Sequence, residues 1–300
     1  MLVSVSRVCH PAEMGKKRGI LLAVLFVALL GGFVWVLSRP TEAAYQGRPL
    51  SAWLKEFNGN PGDSNQAAFV AFHDMGTNAI PALLKIIESD DSPFQRLILE
   101  LNRMQSLVHF PVRETWHERW AASAALYAMG ADAKPAFPAL TNLLFRSNSV
   151  SFSAIPLAGM GSGGLPPLLA ALTNKNQRIR HSAITGLSYE QSDPNIVVPA
   201  LIARLSDEDL LVHFTAVLAL GRLHAEPELA VPALTKDFPG NDPELRSLIL
   251  EGLGRSGTNA SAAIPMLVEA LSDNDQKVRK HAAWALQHID PAAAAQAGVK

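Results

Sequence analysis

Apolar residues recur with a period of 33 residues over the second half of the chain. Four similar phrases, PPLLAAL, PALIARL, PALTKDF and PMLVEAL, each begin with a proline, and these are Pro166, Pro199, Pro232 and Pro265. A second apolar segment with helical spacing follows each phrase, for example KVRKHAAWALQHID after the last one. Each period therefore predicts two helices, and a unit of this size buries its apolar face only by stacking on its neighbours. No segment alternates with period two, so strands are not expected.

Polar and apolar positions inside each period predict helix caps and a shared core. Ten residues after each proline stands a residue that favours helix N-caps: Asn176, Asp209, Asp242 and Asp275. Three sets of equivalent positions in the second helix are apolar in every period: Ile179, Val212, Leu245 and Val278; Ala183, Ala216, Ile249 and Ala282; Leu187, Leu220, Leu253 and Leu286. We expect the caps to begin each second helix and the apolar positions to form the core.

Two longer phrases, VPALIARLSDEDLLVHFTAVLALGRL and IPMLVEALSDNDQKVRKHAAWALQ, resemble HEAT repeats of the short kind found in phycobilisome lyases. The resemblance extends roughly over residues 64–290. It is weaker over 149–165 and at His213, which stands where Arg246 and Arg279 stand in the next two periods. It implies an all-α fold, an α-solenoid in which antiparallel helix pairs form a HEAT/armadillo-like right-handed superhelix, with the second helices on the concave face. It also implies a role in binding other proteins.

One uncharged apolar segment near the N-terminus, Ile20 to Leu37, contains 18 residues and as a helix would span roughly 27 Å. Lys16, Lys17 and Arg18 precede it, and only Arg39 follows it closely. This asymmetry predicts a single-pass signal anchor with a cytoplasmic N-terminus and an exported repeat domain. A cleaved signal peptide is the alternative, since small residues follow the segment. A membrane anchor followed by repeats is also similar to exported HEAT proteins of bacteria.

The predicted order along the chain is a cytoplasmic segment (1–19), the membrane helix (20–38), a linker with a capping helix (39–63), the repeats (64–290) and an alanine-rich tail (291–300). In the capping helix, Leu50, Trp53, Leu54 and Phe57 have amphipathic spacing. About 24 residues are inserted into the first repeat, near 89–118. Pro156 stands inside an expected second helix, so we expect a kink or hinge at 156–165.

Composition and motifs give little support for catalysis or for binding of nucleic acids, nucleotides or metals. Beyond residue 38 the chain has 22 basic and 26 acidic residues, a balance that disfavours nucleic acid as a partner. Gly159, Gly161 and Gly164 satisfy G-x-G-x-x-G, but no strand precedes them, so a loop is the better interpretation. HEAT-type deoxyhypusine hydroxylases bind iron through repeated His-Glu pairs, and this sequence offers one such pair, at His117. We therefore expect no catalytic residues, no metal, no cofactor and no small-molecule substrate.

A candidate partner-binding patch appears when the outward positions of the second helices are compared. Residues at i, i+3 and i+7 are mostly polar in three periods, but in one they are Leu211, Phe214 and Leu218. With Trp284 from the last period, these residues predict a surface that binds an unidentified protein. The alternative is that they pack on an adjacent helix. The sequence thus favours a non-enzymatic scaffold, with a lyase-like or chromophore-handling HEAT enzyme and a nucleic-acid-binding solenoid as the other interpretations.

Overall fold

A computed structural model describes residues 42–57, 66–89, 115–146, 152–189, 193–223, 225–240 and 242–299. The predicted membrane helix at 20–38 and most of the predicted insertion lie outside these ranges. Within them, no helix is both long enough and apolar enough to cross a membrane. Residues 43–300 form one compact unit, to which the following description applies.

The described part of this unit consists of helix pairs. The first helices of the pairs are α1 (Leu50–Glu56), α3 (Ile80–Glu88), α5 (Phe137–Arg146), α7 (Leu165–Ala171), α9 (Pro194–Ile202), α11 (Pro227–Asp237) and α13 (Ile264–Ala270). The second helices are α2 (Gln66–Met75), α4 (Thr115–Met129), α6 (Ala154–Gly159), α8 (Gln177–Leu187), α10 (Leu210–Leu223), α12 (Pro243–Arg255) and α14 (Gln276–Ile289). A last helix, α15 (Pro291–Gln296), lies in the predicted tail.

The helix pairs stack in sequence order. The two helices of every pair contact each other, and the second helices form an unbroken series of contacts from α2 to α14. At the start of the unit, α1 has the predicted amphipathic form, since Leu50 and Leu54 are buried, as is Phe57 directly after the helix. A two-residue antiparallel pair of strands, β1 (Ala44–Tyr45) with β2 (Arg48–Pro49), precedes it, so the expectation that the chain contains no strands is wrong here.

The predicted caps and core are confirmed position by position. The side chains of Asn176, Asp209, Asp242 and Asp275 each accept a hydrogen bond from a backbone N–H in the first turn of the following helix. All twelve predicted core positions of the second helices are buried. The 33-residue period therefore fixes both where each second helix begins and which of its faces is covered, because stacked units must bury the same face in every repeat.

Buried ion pairs connect successive repeats. Arg180 of α8 is 5% exposed and donates hydrogen bonds to both carboxylate oxygens of Asp207, at 3.0 and 2.7 Å. Arg246 forms the equivalent bond to Asp273 at 2.9 Å, again 27 residues further along the chain. Between them His213 stands in place of arginine and Gly240 in place of aspartate, and His213 contacts Asp237 of α11 instead, at 2.7 Å.

The segment 152–164 differs from its prediction. Helix α6 begins at Ala154, so Pro156 lies in its first turn, where a missing N–H leaves no helical hydrogen bond unmade. Pro156 itself therefore does not kink the helix, and the interruption predicted at 156–165 comes after Gly159, where the short helix α6 ends. A 3₁₀ turn, Gly161–Gly163, then leads to α7. Gly161 has φ +60°, and Gly130 and Gly257 take the same left-handed conformation between other second helices and the 3₁₀ turns that follow them.

Candidate protein-binding groove

Leu211, Phe214 and Leu218 lie together in one groove on the surface formed by α8, α10 and α12. The groove has a volume of about 430 Å³, and Leu248 of α12 adds a further apolar side chain to its lining. Leu211 is 52% exposed and Leu218 45%, whereas Phe214 is half-buried and packs against the core. We call this feature the α10 groove. The alternative interpretation, in which these residues pack on an adjacent helix, applies only to Phe214, and only in part.

The exposed leucines follow from the composition of α10. Its sequence, LLVHFTAVLALGRL, is apolar on nearly every side, whereas one face is sufficient to cover the core. Val212, Ala216 and Leu220 occupy the covered face and are buried. Val217 and Ala219 are buried as well, and the apolar side chains left over, among them Leu211 and Leu218, face solvent. Exposed apolar side chains that share a concavity are typical of interaction sites, whereas scattered ones are not.

Trp284 does not line the α10 groove. It lies in a second concavity of about 340 Å³, together with Glu251, Lys280 and His281. The Trp284 ring crosses Gly254 so closely that a Cβ at Gly254 would stand 2.3 Å from Cζ3 of the ring. Trp284 therefore packs α14 on α12 in addition to facing this concavity. Glu251 borders both concavities, so the two are adjacent surfaces rather than one patch.

The predicted outward face of α12 needs one correction. The positions of α12 equivalent to Leu211, Phe214 and Leu218 are Glu244, Ser247 and Glu251, but Ser247 is 1% exposed and does not face outward. Its short side chain does not reach past the helices that pack beside α12. Leu248, Glu251 and Arg255 line the groove from α12, on a face rotated from the predicted one.

Polar side chains stand along the border of the groove. Glu251 accepts two hydrogen bonds from Arg255, from Nη2 at 2.5 Å and Nε at 3.1 Å. The guanidinium carbon of Arg222 lies 4.8 Å from the centre of the Tyr189 ring. Burial lowers the pKa of His181, although the nearby charge of Asp209 opposes this shift, so the imidazole is neutral at pH 7. The groove thus combines an apolar floor with a polar border.

A pair of glycines brings two of the groove helices into close contact. A Cβ added to Gly221 of α10 would stand 2.8 Å from the Cα of Gly252 of α12. Both glycines line the groove, so backbone forms part of its wall. The absence of a side chain at both positions therefore lets α10 and α12 approach closely.

Two glycines of the motif that resembled a nucleotide-binding site have structural roles. A Cβ at Gly159 would meet the Tyr127 carbonyl oxygen at 2.7 Å, and a Cβ at Gly164 would meet the Leu157 carbonyl oxygen at 1.7 Å. These two glycines therefore permit close packing, and no strand leads into them. In the part of the chain that the structure describes, which includes His117, no three histidine, cysteine, aspartate or glutamate residues are grouped to hold a metal ion.

Comparison with known proteins identifies the repeats. Residues 165–238 and 231–297 match the family model of HEAT repeats. No curated protein sequence matches the chain significantly. Similar solved structures include an engineered protein that is 19% identical, with a TM-score of 0.40 over 83% of this chain and 71% of that chain.

A second engineered protein is 19% identical, with a TM-score of 0.35 over 81% of this chain and 96% of its own. Human deoxyhypusine hydroxylase, solved in complex with glycerol, is 18% identical, with a TM-score of 0.37 over 81% and 96% of the two chains. Similarities at this level assign no activity. The match to the HEAT-repeat model over residues 165–297 agrees with the helix pairs, the caps and the 33-residue period of this part of the chain.

Proposed function

We propose that this protein is a non-enzymatic scaffold that binds a partner protein in the α10 groove. The observation that carries the proposal is the exposure of Leu211 and Leu218 beside Phe214 in one concavity. Burying these side chains under a partner removes apolar area from water, which is the main favourable term in protein association. The polar border matches the usual anatomy of an interface, in which an apolar centre is surrounded by polar groups.

Photo-cross-linking from the groove tests this function. A photoreactive residue in place of Leu211 should form an adduct with the partner in intact cells, and Leu218→Asp should abolish that adduct because a carboxylate cannot be buried against apolar groups without a large cost. Leu229 of α11, which is 44% exposed against 45% for Leu218, supplies the matched control Leu229→Asp. Loss of the adduct in both variants, or in neither, would contradict the proposal.

We also propose that residues 20–38 anchor the scaffold in a membrane and that the repeats lie outside the cytoplasm. The support is the 18-residue apolar segment with three basic residues directly before it. A reporter enzyme that is active only outside the cytoplasm, fused after Lys300, should be active. Moving Lys16, Lys17 and Arg18 to the other side of the apolar segment should reduce that activity strongly. An inactive reporter on the unchanged chain would show that the proposed orientation is wrong.

A further inference from the structure

We propose that the α10 groove binds a peptide segment in which a carboxylate stands next to apolar side chains, and that Arg222 binds this carboxylate. This inference rests on the proposed function and specifies the chemistry of the partner. It depends on three observations about the groove: the position of Arg222, the balance of charges along the border, and the length of the lined surface.

Arg222 is placed to act together with the apolar floor. It stands four residues after Leu218 on α10, so both side chains project from the same face of the helix. The Tyr189 ring supports one face of the guanidinium. Tyr189 is itself held by Tyr127, whose ring lies edge-on at 5.9 Å and whose hydroxyl donates a hydrogen bond to the Tyr189 carbonyl at 3.3 Å. The guanidinium is thus oriented before a ligand arrives, which reduces the entropy lost on binding.

The charges of the border leave Arg222 uncompensated. Arg255 and Glu251 neutralise each other through their two hydrogen bonds, and His181 is neutral at pH 7. Among the residues that the structure describes, no carboxylate pairs with Arg222. A carboxylate on the ligand would complement this charge, and arginine binds carboxylates through two parallel hydrogen bonds in a planar geometry.

The shape of the groove favours a peptide over a compact ligand or a nucleic acid. The lining extends along α10 from Leu211 to Arg222, which corresponds to roughly 17 Å at about 1.5 Å per residue. A segment of roughly three helical turns, or of five extended residues, matches this length. A nucleic acid would require a row of cations along its phosphates, whereas the described lining of the groove offers one cation that no described carboxylate compensates.

Selection of peptides on the full-length chain tests the inference. A library of random 12-residue peptides displayed on phage would be selected against the chain held in lipid nanodiscs, as the unchanged protein and as Arg222→Glu. Peptides selected on the unchanged protein should be enriched in Asp or Glu beside apolar residues, and peptides selected on Arg222→Glu should be enriched in Lys or Arg. A synthetic acidic peptide from the first selection should bind Arg222→Glu at least about tenfold more weakly.

Two control variants separate the outcomes. Arg146→Glu makes the same change of charge on an exposed arginine of α5, away from the groove, and should leave the selected sequences acidic. If the peptides bind, lose binding on Leu218→Asp, but show no preference for acidic residues, the groove binds peptides and the role of Arg222 is wrong. If Leu218→Asp does not weaken binding of any selected peptide, the proposed function itself fails. Cross-linking of two copies of the chain through Leu211 would make a second copy the occupant and would also overturn the inference.

Discussion

Replacing Arg180 by methionine is expected to lower the free energy of unfolding by about 3 kcal/mol, because the buried carboxylate of Asp207 loses its two-point partner and keeps only Arg204, at 3.5 Å. The side chains of both residues are less than a tenth exposed, so water does not replace the lost hydrogen bonds. The carbonyls of Asn174 and Lys175 also lose the donor that Nη1 of Arg180 provides. Chemical denaturation followed by circular dichroism measures the change as a shift of the transition midpoint.

Two comparisons make this prediction specific. Arg178→Met, on the exposed side of α8, should change stability by no more than about 0.5 kcal/mol. Asn174 occupies the position equivalent to Asp207 one repeat earlier, so Asp207→Asn introduces a side chain that this position already accommodates, and combined with Arg180→Met it should recover most of the lost stability. A double variant as unstable as Arg180→Met would show that the ion pair is not the cause.

Acid should reduce the effect of Arg180→Met. Burial by itself raises the pKa of Asp207, but hydrogen bonds from Arg180 and from the Asp209 backbone, with the charges of Arg180 and Arg204, hold that pKa below its usual value. A carboxylate with a lowered pKa stabilises the fold fully above its ordinary pKa of about 3.9 and loses this contribution as the pH falls through the folded value. The difference between the two proteins should therefore be largest near neutral pH and decrease below about pH 4.

Features that depend only on a residue's place within its own repeat could be predicted from the sequence. Asn176 and Asp242 could be assigned as caps because a cap acts within two or three residues of its own position, and the spacing shows where each helix begins. The buried apolar positions could be assigned for the same reason, since every repeat covers the same face. Contacts that depend on how one repeat packs on the next could not be predicted from the sequence. The partner of Arg180, for example, stands 27 residues away, and nothing in the sequence around Arg180 identifies it.

In the groove, too, the residues of a single helix could be predicted, whereas those contributed by a neighbouring helix could not. The apolar face of Leu211, Phe214 and Leu218 is visible in the sequence because it belongs to one helix. Leu248 and Arg255 were missed because they reach the groove from α12, and their orientation depends on the close approach of Gly221 and Gly252. One signal was present: Tyr189, Arg222, Arg255 and His288 occupy equivalent positions 33 residues apart, so that their side chains recur at the same end of successive second helices.

The glycines at 159, 161 and 164 show why a short motif without its context misleads. The G-x-G-x-x-G spacing is present, but a dinucleotide site uses glycines to bring backbone close to a phosphate, whereas here two of them bring backbone close to backbone. Sequence reasoning rejected the nucleotide site because no strand precedes the glycines. The structure adds the reason for their presence, which is steric.

Replacing Gly164 by alanine is expected to destabilise the protein by about 3 kcal/mol, at the upper end of the usual cost of overpacking. The backbone at Gly164 has φ −87° and ψ −15°, which alanine adopts readily, so the cost does not come from conformation. It comes from the new Cβ, which would stand 1.7 Å from the carbonyl oxygen and 2.6 Å from the carbonyl carbon of Leu157. Leu157 is fully buried in α6 and cannot retreat without moving that helix against α4 and α8.

Gly163 is the matched control for this prediction, because it belongs to the same turn and a Cβ there would meet no atom within 4 Å. Gly163→Ala should change the free energy of unfolding by no more than about 0.5 kcal/mol. Comparing the two alanine variants by chemical denaturation separates contact with Leu157 from a general need for flexibility in the turn. Equal destabilisation by both variants would indicate flexibility. A large loss for Gly164→Ala alone would show that the close contact between Gly164 and Leu157, which leaves no space for a side chain at this one position, holds α6 and α7 together.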